Sequence, residues 1–298
     1  MLRRSASLEF MVARSAFVPC THVAVTAAIA WLGLDPASAQ SSAGESRVDV
    51  ELVLAVDISW SMNAEEQEIQ RAGYAAAFRS DEVQKAILGS GWGRIAVTYV
   101  EWAGTLTQEV VIPWTLIDSE AAADDFAAHL DNEEPGHGQR TSIAAAIDYS
   151  VPLFEGNGFA GIRRVIDLSG DGPNNEGRAV NEARDDATRR GIVINGLPLM
   201  TSGFEQGFAS WGSIPNLDRY YADCVIGGPG AFMIPVNDWE QFPDAVRRKL
   251  VMELAGAWPE PEGATLPLIK VQDPPSSAPA DCLVGEKLWE QRRRGWAP

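Results

Sequence analysis

The run from Val48 to Val56, rich in valine and leucine and ending at Asp57, constrains the fold most. A strand with one face in water alternates apolar and polar residues, whereas a strand covered on both faces loses that alternation. The run therefore reads as a central strand with helices above and below it. The segments that follow alternate in kind. Residues 63–79 carry helical spacing, with Asn63 placed to cap them and Glu65 and Glu66 in the first turn. Strands are expected at 94–102, 109–114, 164–169, 192–197 and 231–236. Helices are expected at 119–130 (capped by Ser119), 141–154, 176–190 and 239–254. Strand and helix in alternation predict an α/β fold, doubly wound and Rossmann-like. Its mostly parallel six-stranded sheet would have one antiparallel edge strand, from the hairpin at 94–114, and helices on both faces.

Both ends of the chain read differently. Arg3, Arg4 and Arg14 precede an apolar run from Val23 to Leu34, and Ala37-Ser38-Ala39 fits a small-x-small cleavage site. Residues 1–39 are thus expected to be a signal peptide cleaved after Ala39, giving a periplasmic or secreted chain. A start at Met11 would make the signal more usual. The apolar run is too short to span a bilayer, and no later segment is long enough. Residues 40–46 form a polar linker, 47–256 the domain, and 257–298 a proline-rich, irregular tail. Beyond the signal only Cys224 and Cys282 remain. Two thiols in an exported chain predict one disulfide, tying the tail to the domain; two free thiols are the alternative. The formal net charge of -17 disfavours nucleic acid and anionic membrane as partners.

The chemistry is expected where strands end, since open α/β sheets bind ligands beyond the carboxyl ends of their strands. The first strand runs into Asp57-Ile58-Ser59-Trp60-Ser61, a later one into Asp171, and Thr141 stands at or near the cap of a helix. Two carboxylates and three hydroxyls make an all-oxygen donor set, which suits a hard divalent cation: Mg²⁺ first, with Mn²⁺ or Ca²⁺ open. The absence of a Cys or His cluster there argues against zinc or copper. Taken singly, each piece reads more readily as a cap or a turn; their joint placement points to a metal site.

Together these residues resemble the metal-ion-dependent adhesion site of von Willebrand factor A domains. Val100–Gly104, Pro113–Thr115, Leu168–Asn175 and Val225–Phe232 narrow the resemblance to DUF1194, a bacterial family of exported A-domain proteins without an established activity. The resemblance implies that Ser59, Ser61 and Thr141 bind the cation through their hydroxyls, with Asp57 and Asp171 acting mostly through water. Neutral hydroxyls leave the cation's charge poorly neutralised, so an open position would attract a carboxylate from a partner protein or other envelope ligand. Trp60 either touches that partner or packs beneath the first helix. Asn174, Asn175, Arg178, Glu133, Glu134, His137 and Arg140 either rim the site or are ordinary loop residues.

Enzymatic readings fit poorly, and no catalytic residue is expected. Past the signal the histidines are His129 and His137, and no nucleophile elbow follows a strand. An Mg²⁺-dependent phosphatase would need an acid/base two residues after Asp57, where Ser59 stands. No Gly-x-x-x-x-Gly-Lys-Ser/Thr loop supports nucleotide hydrolysis. Two classes remain: a metal-dependent binding module, or a structural component of an envelope assembly in which the metal mainly orders loops.

Overall fold

The central strand lies where its composition requires. In a computed structural model that describes residues 44–134, 136–201, 213–255 and 278–295, β1 (Ser46–Asp57) pairs in parallel with β2 (Ile95–Trp102) on one side and β4 (Phe159–Gly170) on the other. β3 (Gln108–Ile117) runs antiparallel outside β2, and β5 (Ile192–Pro198) runs parallel outside β4. The five-stranded order is β3-β2-β1-β4-β5. From β1 the chain winds outward to β3, then returns to β4 and winds the other way. The switch point thus falls between the carboxyl ends of β1 and β4, where Asp57 and Asp171 stand.

Alternate side chains of β1 feed two cores, as the strand's period of two demands. Val50, Leu52, Leu54 and Val56 pack with α1 (Ala64–Arg79), α2 (Asp81–Leu88), α3 (Glu120–Asn132) and α7 (Phe242–Ala255). Val53 and Ala55 pack on the opposite face with α4 (Ile143–Ser150), α5 (Val180–Arg189) and the short α6 (Leu217–Tyr220). The two acids within the run are buried but satisfied. Asp49 accepts from the backbone of Trp92 and from Ser90 Oγ, and Glu51 from Gly161 N and Asn157 Nδ2.

Most element boundaries follow the capping chemistry. Asn63 closes a reciprocal capping box with Glu66, and Ser119 caps α3. The helix expected from Thr141 begins instead at Ile143 and is capped by Ser142, whose hydroxyl accepts from Ala145 N. The helix expected from Glu176 begins at Val180. The expected sixth strand, 231–236, is a correction: it meets β5 only through isolated bridges at Met233 and Val236. Between the two bridges Pro198 of β5 has no N–H to donate to Ile234 O, and Phe232 N is drawn to the Asn195 side chain. At the other edge, β3 carries Pro113 inside a register shift against β2. The tail is not irregular throughout, for Val284–Gly295 form a further helix, α8. Cys224 and Cys282 are joined by a disulfide. The expected signal peptide, its cleavage after Ala39, linker residues 40–43 and tail residues 256–277 lie outside the described residues. Among the described residues no helix is long and apolar enough to cross a membrane.

A charged cluster lies in the layer between sheet and α7. Lys249 Nζ sits 2.5 Å from both Asp167 Oδ1 and Glu253 Oε1, with all three side chains at most 1% exposed. Asn195 Nδ2 also donates to Glu253. Two carboxylates share one ammonium, so burial and then the charge of Glu253 push Asp167 up to about 7. A carboxyl whose folded pKa exceeds its unfolded one stabilises the fold below the unfolded value, and that contribution is lost as pH rises through the folded value. Denaturant melts of wild type and Asp167→Asn should therefore show the wild type losing relative stability between about pH 4 and about pH 7. A difference that stays flat across that window would refute the shift.

Candidate functional site

The loop leaving β1 is held at both ends by backbone. Ile58 N donates to Trp102 O at 2.9 Å, Gly138 N donates to Ile58 O at 3.0 Å, and Met62 N closes a turn onto Ser59 O at 2.9 Å. Within that frame Ser59 N donates to Asp57 Oδ1 at 2.7 Å. The hydroxyls of Ser59 and Ser61 lie 3.1 Å apart, and Ser61 Oγ donates to Asp171 Oδ1 at 2.7 Å. Four of the five expected residues, Asp57, Ser59, Ser61 and Asp171, thus form one linked oxygen array across the switch point. Asp57 is fully buried and Asp171 nearly so.

The array is under-compensated. Asp57 Oδ2 is buried without a hydrogen-bond partner. Burial, and then the charge of Asp171, hold the Asp57 carboxyl well above its ordinary range. Burial also pushes Asp171 up to about 6, with the Ser61 hydroxyl pulling the other way. None of the ion pairs among the described residues includes either carboxylate. Gly170 leaves space beside the array, since a Cβ there would lie 3.0 Å from Asp57 Oδ2 and 2.9 Å from the Tyr221 hydroxyl. Buried oxygens without a basic partner suit a hard cation.

Thr141, the fifth expected residue, lies in the adjoining loop, buried at 3% exposure. The loop hangs on three neighbours. Gly138 bridges Ser59, and Ser142 N donates to Ala103 O at 2.7 Å. Asn175 N donates to Thr141 O at 2.8 Å while Asn175 Oδ1 accepts from Thr141 N at 3.1 Å. Arg140, at φ 70°, holds its left-handed backbone while donating from Nε to the same Asn175 oxygen.

The expected rim divides into exposed and structural residues. Trp60 is 77% exposed, so it does not pack beneath α1. Asn174 is a correction: it is fully buried and not available for partner contact. Its Oδ1 accepts from Ala144 N, and its Nδ2 donates to Glu176 O, Arg178 O and Glu286 Oε1. Asn175 is half-buried and committed to Thr141 and Arg140. Arg178 is bound to Asp148 and Asp186. Glu133, Glu134 and His137 are exposed.

A buried ion pair was missing from the sequence reading. Arg71 of α1 pairs with Glu101 of β2, and each residue is 5% exposed. Arg71 also donates to the carbonyls of Glu133 and Glu134, and Glu101 Oε2 accepts from Gly136 N at 3.0 Å. The pair therefore fastens the start of the Thr141 loop. Its one visible signal was Glu101, a lone charge between Val100 and Trp102. Gln70 links the two sides of the switch point, donating to Asp57 O and accepting from Ser169 Oγ.

The model of the family described as a protein of unknown function (DUF1194) matches residues 47–258. By structure the chain is similar to proximal thread matrix protein 1 of the mussel byssus. They are 15% identical with a TM-score of 0.52, over 71% of this chain and 49% of that one. Another structure of that mussel protein is described as having a zinc-occupied MIDAS motif. The pilus adhesin SpaC from Lactobacillus rhamnosus GG is 11% identical with a TM-score of 0.50, over 72% of this chain and 31% of that one. A von Willebrand factor type A structure from Catenulispora acidiphila is 14% identical with a TM-score of 0.46, over 70% and 43% respectively. The chain spans about half or less of the length of these proteins. No curated protein matches it.

Arg71→Leu would leave Glu101 buried without its partner and free the backbone at Glu133 and Glu134. The expected cost is about 3–5 kcal/mol of stability, with faster amide exchange at Gly136 than elsewhere in the domain. Unchanged exchange there would show that the pair does not hold the loop.

Proposed function

The chain belongs to the DUF1194 family, and from that premise we propose that it is a binding module of the von Willebrand factor A type with a divalent-cation site. Asp57, Ser59, Ser61, Thr141 and Asp171 would hold the cation, Mg²⁺ in first place. The observation that carries this reading is Asp57 Oδ2, a buried carboxylate oxygen without a donor beside a second carboxylate without a counter-charge. A bound cation would supply a Lewis-acidic position with which a partner's carboxylate can complete the coordination shell. The chain's own residues do the rest. Asp57 orders the turn through Ser59 N, Ser61 ties that turn to Asp171, and Trp60 offers an exposed indole beside it, a side chain favoured at binding hot spots. The likeness of fold to the mussel byssus protein supports the same reading, since that protein's MIDAS motif takes zinc.

The module would work outside the cytoplasm, following the export signal expected at residues 1–39, on a protein or envelope component that presents an acidic group. A structural role, in which the cation only orders loops, is the second reading. The dense backbone ties of the Thr141 loop favour it. A pull-down from the envelope fraction with and without chelator separates the two: Ser61→Ala should abolish capture while leaving the fold intact. We propose no enzymatic role. Ser59 Oγ is engaged with Ser61 at the place where a phosphatase would need an acid/base, and a phosphate-release assay with Mg²⁺ should stay flat.

Asp171→Asn provides a test without a known partner. Removing one of two crowded carboxylates should leave the metal-free protein at least as stable as wild type. Wild type should gain about 2.7 kcal/mol at a cation concentration a hundred times its dissociation constant, and the variant should gain almost nothing. An equal gain in both proteins, read by thermal melting with Mg²⁺, would exclude this site.

A further inference from the structure

Helix α8 lies beyond the matched family segment, which ends at 258, yet it docks on the residues that hold Thr141. Glu286 Oε1 accepts from Asn174 Nδ2 at 2.7 Å. One turn later Trp289 lies under the Arg140 guanidinium, 3.7 Å from its ring centroid. Both contacts lead to one loop: Asn174 accepts from Ala144 N, and Arg140 shares the Asn175 oxygen that receives Thr141 N. The docking is close. A Cβ on Gly285 would lie 2.0 Å from Asn174 O.

The anchorage is built from the same corner of the fold. Cys282 stands two residues before α8 and is bonded to Cys224, in the turn Tyr221–Val225 that follows α6. Tyr220 accepts from Asn174 N at 3.1 Å and donates to Cys282 O at 3.5 Å. The adjacent Tyr221 hydroxyl donates to Gly170 O, next to Asp171. The disulfide shortens the tether on which α8 returns to the domain and so raises its effective concentration there, an advantage for a short helix.

We propose that Glu286 and Trp289 are positioning residues for the cation site: through Asn174 and Arg140 they hold the Thr141 loop in its binding conformation, and the Cys224–Cys282 disulfide keeps them there. This rests on the cation reading of the site. Arg140 is the point of leverage. Its backbone at φ 70° lies where a residue with a Cβ is strained, and the indole stack together with Asn175 holds it. Without α8 the strained residue loses its cover, and Thr141 loses the fixed partner for its N–H. Groups that orient a ligand from behind typically set metal affinity over a range of about 10–100-fold.

The test measures Mn²⁺ affinity by calorimetry and amide exchange at Thr141 and Ala144, in the full oxidised chain. Trp289→Ala and Glu286→Ala should each weaken Mn²⁺ binding about tenfold and speed exchange at both amides, with the metal-free melting curve unchanged. Trp289→Phe, which keeps an aromatic face, and Glu286→Gln, which keeps an acceptor, should restore both readouts. Gly285→Ala should reproduce the loss by lifting α8 without deleting a contact, and it serves as the alternative if Trp289→Ala misfolds. Affinity that stays unchanged in Trp289→Ala and Gly285→Ala overturns the proposal, whatever exchange does. A wild type that binds no Mn²⁺ sinks the cation reading instead, and the exchange comparison then decides by itself whether α8 holds the loop.

Discussion

β1 is buried on both faces and paired in parallel on both edges, and the rest of the molecule answers to that. A parallel strand needs crossovers, and crossovers in this chain are helices. Two buried faces need two layers of them, and the alternation of Val50, Leu52, Leu54 and Val56 with Val53 and Ala55 divides the core accordingly. The reversal of winding between β1 and β4 opens a crevice beyond their carboxyl ends. Asp57 and Asp171 fall at that crevice because Asp57 ends β1 and Asp171 directly follows β4. The site is thus a consequence of where the chain changes direction.

Three buried charge clusters follow in a series of decreasing compensation. Arg71 and Glu101 neutralise one another and are hydrogen-bonded into the loop they fasten. Lys249 is shared between Asp167 and Glu253, so one carboxyl keeps an affinity for protons near neutrality. Among the described residues no cationic side chain pairs with Asp57 or Asp171. Desolvating a charge without a partner is costly, and a fold that satisfies Asp49 and Glu51 so fully shows that this cost is normally met. The third cluster stands out against the other two, and this contrast gives the cation reading its weight.

Legibility in the sequence followed the range of the interactions. Strand-end residues Asp57, Ser59, Ser61 and Asp171 were readable because the pattern of β1 and β4 fixes where those strands stop. Asn63 and Ser119 were readable because capping is local chemistry. Arg71, Lys249 and Glu253 were not, since each looks like a surface charge on a helix until a distant partner is known. The burial of Asn174, read as a rim or ordinary loop residue, escaped for the same reason: nothing within its own loop reveals its bonds to Ala144 and Glu286. The α8 helix escaped notice because the prolines that precede it set the character of the whole tail. The strand expected at 231–236 failed opposite Pro198 of β5, which removes a donor where continuous pairing needs one.

The two outer rims of the sheet each carry a proline. Pro113 sits within the register shift of β3, and Pro235 sits in the segment that flanks β5. Sheets whose outer strands present an unbroken row of N–H and C=O groups can recruit strands from other molecules and grow into aggregates. Here each outer rim carries a residue that cannot donate, and on the β3 side the spacing is broken as well. Pro113 and Pro235 thereby make strand addition less favourable at both rims of the described sheet.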